Sequence, residues 1–280
     1  MEILRVAIPD YRLAPFVYCF AHRETLPGSE PITQPLTASL GPVLSFDLGD
    51  RVVYNRPGEK PYFPAHAHLL GTQTRYLGQA SLSGHVLEFG IFFRTFALWQ
   101  LFGIPPAELV DHDGDATEVM SSWIADFWCK LVEAGSFAER ITLASRTLLP
   151  LVNTARPLTS ILSTVHRLLP SDEAARIVQV ARESAMSIRS YERQFGAEMG
   201  FSPKMFVRLA RFQKAVELKR RHCDSWLNVS HDLGYFDQMH MIRDFQFFGG
   251  DTPGRLLLPN ADFQPWTIQN PILSLDETRD

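Results

Sequence analysis

Apolar positions in this chain follow two periods, and the change from one to the other divides it. Up to about residue 95 the apolar runs are short and broken by proline and glycine, at Pro9, Pro15, Pro27-Gly28, Pro31, Pro35, Gly41-Pro42, Pro57-Gly58, Pro61 and Pro64. Runs such as PLTASL, PVLSFDLGD and RVVYN lie between the breaks, and GTQTRYLGQASLSGHVLEFGIFF (71–93) alternates polar and apolar residues. Gly78 and Ser83-Gly84 read as hairpin turns there. Short strands at this spacing predict a sandwich or barrel.

From residue 95 the spacing becomes helical. TFALWQLF (95–102) reads as a helix ended by Gly103, and Pro106 opens a short helix or capped turn. Two amphipathic helices follow at 120–134 and 136–149, the first carrying Trp123, Ile124, Phe127, Trp128 and Leu131 near 3.6 spacing. Pro150, Pro157 and Pro170 punctuate the next stretch, which still allows a helix over 158–169. A boundary is drawn near Pro170-Ser171, and helices are expected at 174–185, 187–199 and 204–221.

The stretch 225–253, SWLNVSHDLGYFDQMHMIRDFQFFGGDTP, reads as two short helices meeting at a corner. Ser225 is placed to cap the first, in which Trp226, Leu227, Val229 and Leu233 are the apolar positions. Gly234 falls where a helix ends in a left-handed residue. Asp237 can cap the second, with Met241, Phe245 and Phe248 on one face and Gln238, Met239, His240 and Arg243 on the other. Gly249-Gly250 closes it, and Asp251-Thr252-Pro253 opens another turn. The same layout occurs earlier. In SIRSYERQFGAEM (187–199) Tyr191, Phe195 and Met199 face inward, Arg189, Ser190, Glu192 and Arg193 face outward, and Gly200 ends the helix. Ser202-Pro203 then opens the helix that joins the two units and ends in Lys219-Arg220-Arg221. This is the layout of a pair of helix-turn-helices, in which the second helix of each enters the DNA major groove.

Gly234, Tyr235, Asp237, Gln238, His240, Arg243, Phe245, Gly250, Thr252 and Pro253 together resemble the signature of the AraC-type (AraC/XylS) transcriptional regulators. Ser187, Arg189, Arg193, Phe195, Gly200, Ser202 and Pro203 resemble the first motif of that family, with Tyr191 where leucine is usual. LEFGIFFRTFALWQLFGIPPAELVDHDGD resembles a sensor-like N-terminal domain that some members carry, although Thr95-Phe96 stands where Pro-Gly is frequent. The resemblance covers about 171–255 and, more loosely, 75–150. It implies a sequence-specific regulator whose two recognition helices enter successive major grooves about 34 Å apart. It implies double-stranded DNA as partner, with a small-molecule effector at the N-terminal domain, a homodimer and RNA polymerase as further partners. It implies no catalysis and no cofactor. Activator is among the roles such a regulator takes.

The expected fold is therefore α+β. A β-rich sensor or dimerisation domain with closing helices spans 1–170, an all-α double helix-turn-helix domain spans 171–258, and an extension follows at 259–280. Arginine can bond guanine O6 and N7 with two donors, glutamine can bond adenine, and glutamate can accept from cytosine N4. The candidate base-reading residues are accordingly Arg189, Ser190, Glu192 and Arg193, then Gln238, Met239, His240 and Arg243. Lys204, Arg208 and Lys214, with Lys219 and Arg221, are candidates for phosphate. His240 also suits a structural place, and Arg243 could instead pair with Asp237.

Charge supports this division mildly. The net charge is −4 overall, but 171–255 holds 13 Lys+Arg against 11 Asp+Glu. The positive excess sits with the paired motifs, as phosphate contact favours. Cys19, Cys129 and Cys223 are too far apart for a disulfide framework or zinc cluster. MEILRVAIPDYR is not a signal peptide, and no apolar run approaches the ~18 residues of a membrane span, so a cytoplasmic protein is expected. The rival readings are a DNA-binding or interaction protein without ligand, and a cupin-like metalloenzyme. The latter would build a site from His66, His68 and Glu88 across strands, although LLGTQ follows His68 with no acid. Gly-x-Ser-x-Gly, P-loop and GxGxxG patterns do not occur. Tyr62, Phe63, Tyr76, Phe89, Phe92, Trp99 and Phe102 either line a small-molecule pocket or form ordinary core.

Overall fold

Alternation along the strands is satisfied on two buried faces at once. The computed structural model describes residues 2–121, 123–168, 173–221 and 226–256. Among these, nine strands form two antiparallel sheets. They are β1 (Glu2–Ala7), β2 (Val17–Thr25), β3 (Ile32–Leu36), β4 (Val43–Asp47), β5 (Val53–Asn55), β6 (Ala67–Leu70), β7 (Gly78–Leu82), β8 (Leu87–Phe93) and β9 (Asp113–Asp115). The large sheet runs β1-β2-β8-β4-β6-β9 and the small one β3-β7-β5. Phe20, Leu44, Phe46, Leu69, Phe89, Ile91 and Phe93 of the large sheet join one apolar cluster, under the closing helices. Their sequence neighbours Cys19, Ala21, Val43, Leu70 and Phe92 join another, against the small sheet. Because both faces are covered, all five residues of β4 and all four of β6 are buried.

The closing helices are α1 (Ala97–Phe102), α2 (Ala116–Met120), α3 (Trp123–Glu133) and α4 (Phe137–Val152). Gly103 ends α1 in the left-handed conformation, and the Ser136 hydroxyl caps α4 by accepting from the Glu139 amide. The helix expected at 120–134 forms as α3 and starts later, at Trp123, because Ser121 takes φ 76° after the end of α2 at Met120. Beyond its expected end, α4 continues through Pro150, which lies within its last turn. Residues 106–109 and 162–168 are 3-10 turns, so the helix expected over 158–169 does not form as such. Gly78 makes no hairpin. It opens β7 at φ 129°, pressed against the Asn55 carbonyl where a side chain has no room.

The C-terminal helices are α5 (Glu173–Glu183), α6 (Ile188–Met199), α7 (Pro203–Arg221), α8 (Trp226–Asp232), α9 (Gln238–Gly249) and α10 (Pro253–Leu256). They share one apolar cluster with Ile161, Leu162, Val165 and Leu168, and also with Ala38 and Leu40 from the β-rich part. No helix among the described residues is long and apolar enough to cross a membrane. The boundary at 170/171, the Ser225 cap, Cys223 and the extension from 259 lie outside the described residues.

Between the two sheets sits a buried polar cluster. The Arg23 guanidinium donates to Glu88 and, at 2.5 Å, to Gln34, while the Ser45 hydroxyl donates to Glu88 at 3.1 Å. Asp47 shares this interior, and its Oδ2 finds no hydrogen-bond partner among the described residues. Burial, and then the nearby Glu88 carboxylate, push Asp47 up to about 8 from an ordinary 3.8. The folded state therefore holds this proton more tightly than the unfolded chain does. Its stabilising contribution is complete below the unfolded value and is lost as pH rises towards and through about 8. Chemical denaturation at about pH 5 and about pH 9 should show falling stability, and Asp47→Asn, which stays neutral, should flatten that slope.

Candidate nucleic-acid interface

The two motifs are assembled from the same parts fifty residues apart. At the start of α6 the Ser187 hydroxyl accepts from the Ser190 amide at 3.2 Å, and at the start of α9 the Asp237 carboxylate accepts from the His240 amide at 2.6 Å. Both helices end on a left-handed glycine, Gly200 at φ 79° and Gly250 at φ 83°. Gly234, at φ 64°, turns the chain between α8 and α9, where the Tyr235 amide returns to the Ser230 carbonyl at 3.0 Å. Tyr191, Phe195 and Met199 are buried under α6, as are Met241, Phe245 and Phe248 under α9. Helix α7 joins the two. Its Phe206 meets Phe195 at 6.1 Å between ring centroids, and its Phe212 meets Phe245 at 4.9 Å and Phe248 at 5.5 Å.

These packings leave the opposite faces open. Arg189, Glu192 and Arg193 are exposed on α6 with Ser190 half-buried, and Gln238, Met239 and Arg243 are exposed on α9. Among the described residues Arg189, Arg193 and Arg243 form no ion pair, and Asp237 uses its carboxylate on the helix cap. His240 is half-buried, edge-on to Tyr235 at 5.6 Å, so it has a packing role as well.

The phosphate candidates separate. Lys204 is exposed at the start of α7. Lys214 is half-buried, with Nζ 3.3 Å from a Glu217 carboxylate oxygen. Lys219 lies over the Trp226 ring at 5.4 Å. Arg208 is engaged inside the domain: Nε and Nη2 donate to Asp244 Oδ1 at 3.1 and 2.7 Å, and its guanidinium lies over Phe247 and Phe248. The side chain of Arg221 lies outside the described residues. Asp244 was missed from sequence. It falls on the arc of Met241, Phe245 and Phe248, and a carboxylate on an apolar arc signals that a cation must meet it.

The β-rich part touches the ends of both outward-facing helices. The Ala38 amide donates to the Phe248 carbonyl at 2.8 Å and the Tyr76 amide to the Phe247 carbonyl at 3.1 Å. A Cβ on Gly250 would stand 2.7 Å from the Tyr76 ring, and one on Gly200 would stand 2.6 Å from Val110 and 3.1 Å from Ala107. The other sequence candidates are dispersed. His66 lies against Trp128, His68 pairs with Asp113, and Glu88 pairs with Arg23. No three metal-ligating side chains of the described residues come together. Phe89 and Phe92 face opposite clusters and Phe63 is exposed beneath Arg51, so these aromatics do not line one pocket.

Residues 180–257 match a family model described as a helix-turn-helix domain, and residues 5–115 match a domain of unknown function, DUF6597. No curated protein matches the sequence. Among solved structures the chain is similar to unsaturated fatty acid bound wild-type ToxT from Vibrio cholerae strain SCE256, at 8% identity and TM-score 0.47, covering 93% of this chain and 97% of that one. It is also similar to the AraC-like transcriptional activator CuxR, at 9% identity and TM-score 0.29, covering 78% and 86%. A hydroxyethylphosphonate dioxygenase follows at 14% identity and TM-score 0.23, covering 74% and 47%.

The Arg208–Asp244 pair gives an asymmetric expectation. Arg208 is partly open to water and Asp244 is not. Arg208→Ala strands a buried carboxylate and should cost about 3–5 kcal/mol, whereas Asp244→Ala leaves a cation that can reach solvent and should cost less. Urea denaturation of the two variants measures the difference.

Proposed function

We propose that this chain, whose residues 180–257 are a helix-turn-helix domain of the AraC type, is a transcription regulator that reads duplex DNA with α6 and α9 in successive major grooves. The observation that carries this reading is the repeat itself. Two capped helices joined by one continuous helix both turn arginines outward without an ion-pair partner among the described residues. Arg189, Ser190, Glu192 and Arg193 read one half-site, and Gln238, Met239, His240 and Arg243 read the other. Lys204 and Lys214 hold phosphates and set the register. Arg208 is withdrawn from that set, because its donors serve Asp244.

The domain division at about residue 170 and control by a small-molecule effector belong to the same proposal. Support comes from β3, which leads into Ala38, and from Tyr76, Ala107 and Val110, all of which meet the ends of α6 or α9. An effector in the β-rich domain changes DNA binding only if it favours one arrangement of these contacts over another. Action in the cytoplasm, as a homodimer in contact with RNA polymerase, completes the reading.

Selection from random duplexes at two salt concentrations tests it. A site with two halves about one helical turn, ~34 Å, apart is expected. Arg193→Ala and Arg243→Ala should each blur one half and cost about 1–3 kcal/mol, while Lys204→Ala should weaken binding to all sequences and lower the salt slope by about 1. A folded chain with no sequence preference and no salt dependence refutes the assignment.

A further inference from the structure

The second motif carries a larger exposed apolar patch than the first, whose outward helix exposes only Ile188, at 43%, among its large apolar side chains. When the motifs are aligned by their caps, Ser187 on Asp237 and Gly200 on Gly250, residues fifty apart correspond. Phe195 then falls on Phe245 and Arg193 on Arg243. At the residue before the cap, Met186 falls on Phe236. Met186 packs against the helical core, whereas Phe236 is 93% exposed. Two residues into the helix, Arg189 corresponds to Met239, which is 55% exposed. The core of the second motif is complete without either side chain, since Met241, Phe245 and Phe248 fill it. A phenyl ring and a thioether thus stand in water on the turn and first residues of α9, beside exposed Gln238 and Arg243.

On the major-groove edge of a base pair, the apolar group is the C5-methyl of thymine, and the donor–acceptor pattern that matches a glutamine amide is that of adenine. Covering a methyl with exposed phenyl or thioether surface removes apolar area of both partners from water. The first motif offers a mainly charged set, Arg189, Glu192 and Arg193 beside the smaller apolar surface of Ile188, and those charged groups match guanine acceptors and the cytosine amino group. Resting on the DNA-reading assignment above, we infer that Phe236 and Met239 are thymine-methyl readers. The operator is therefore asymmetric, with G·C pairs under α6 and thymine-bearing A·T pairs under the start of α9.

The test uses the full chain and its selected duplex, with thymine replaced by deoxyuridine in one half at a time. Deoxyuridine keeps the pairing and lacks only the methyl. Replacement in the half under α9 should weaken the native protein by about fourfold for each contacted methyl, and replacement in the other half should change little. Phe236→Ala and Met239→Ala should bind the thymine duplex more weakly and lose sensitivity to deoxyuridine. An unchanged melting temperature for Phe236→Ala, expected from its exposure, confirms that the fold is intact. Indifference of the native protein to deoxyuridine in both halves overturns the inference, as does full sensitivity retained in both variants. In either case the DNA-reading assignment survives if Arg193→Ala and Arg243→Ala still blur their half-sites. If no sequence is selected at all, both fall.

Discussion

Phe206 and Phe212 lie six residues apart on α7, and the relation between the two outward-facing helices depends on what they touch. Phe206 packs on Phe195 beneath α6, while Phe212 packs on Phe245 and Phe248 beneath α9. Because both motifs are fastened to a single helix through rigid aromatic contacts, the separation and tilt of their exposed faces are set by the core. Close-packed interiors transmit such constraints, since a ring cannot shift without opening a void or a clash. The polar faces are then free of structural duty, apart from His240, and can be occupied by side chains chosen for a partner.

Two of the buried charged sites among the described residues serve different ends. Arg208 and Asp244 tie α7 to α9 at one point of this aromatic contact, adding direction to a non-directional packing. Arg23 and Glu88 lie between the sheets with Gln34 and Ser45, and Asp47 completes that cluster with one oxygen unpartnered among the described residues. Burying a charge costs more than its pairing returns unless the geometry is good. Replacing such a cluster by well-packed apolar side chains of similar volume is often neutral or stabilising, and the charge state of Asp47 is set by its surroundings.

Contact between the parts follows from the same glycines that end the helices. Gly200 and Gly250 take left-handed conformations that glycine adopts without strain. Without a Cβ, each also leaves room for a neighbour from the β-rich part, Val110 and Ala107 at one and Tyr76 at the other. The two helix ends are therefore held by one body, with the loop after β3 and residue 76 against the end of α9 and residues 107–110 against the end of α6. This gives the effector proposal a physical route.

Much of the C-terminal region was legible in the chain alone. Its elements are closed by local chemistry, with Ser187 and Asp237 as caps, Gly200, Gly234 and Gly250 as left-handed stops, and apolar residues at helical spacing. Such signals act within a few residues, so they can be read without knowing the neighbours. The outward faces followed by subtraction. What only the tertiary structure decided involves partners distant in sequence. Gly78 reads as a turn but opens a strand, because its surroundings are set by Asn55. β6 and β9 went unread, since AHLL and DGD have no pattern of their own until the large sheet pairs them. His66, His68 and Glu88 look like a ligand set in sequence, yet Trp128, Asp113 and Arg23 claim them separately. Arg208 looks like a free cation until Asp244, thirty-six residues on, is folded against it. Periodicity and caps report the local chain; the destination of a charge depends on which residue the fold brings to face it.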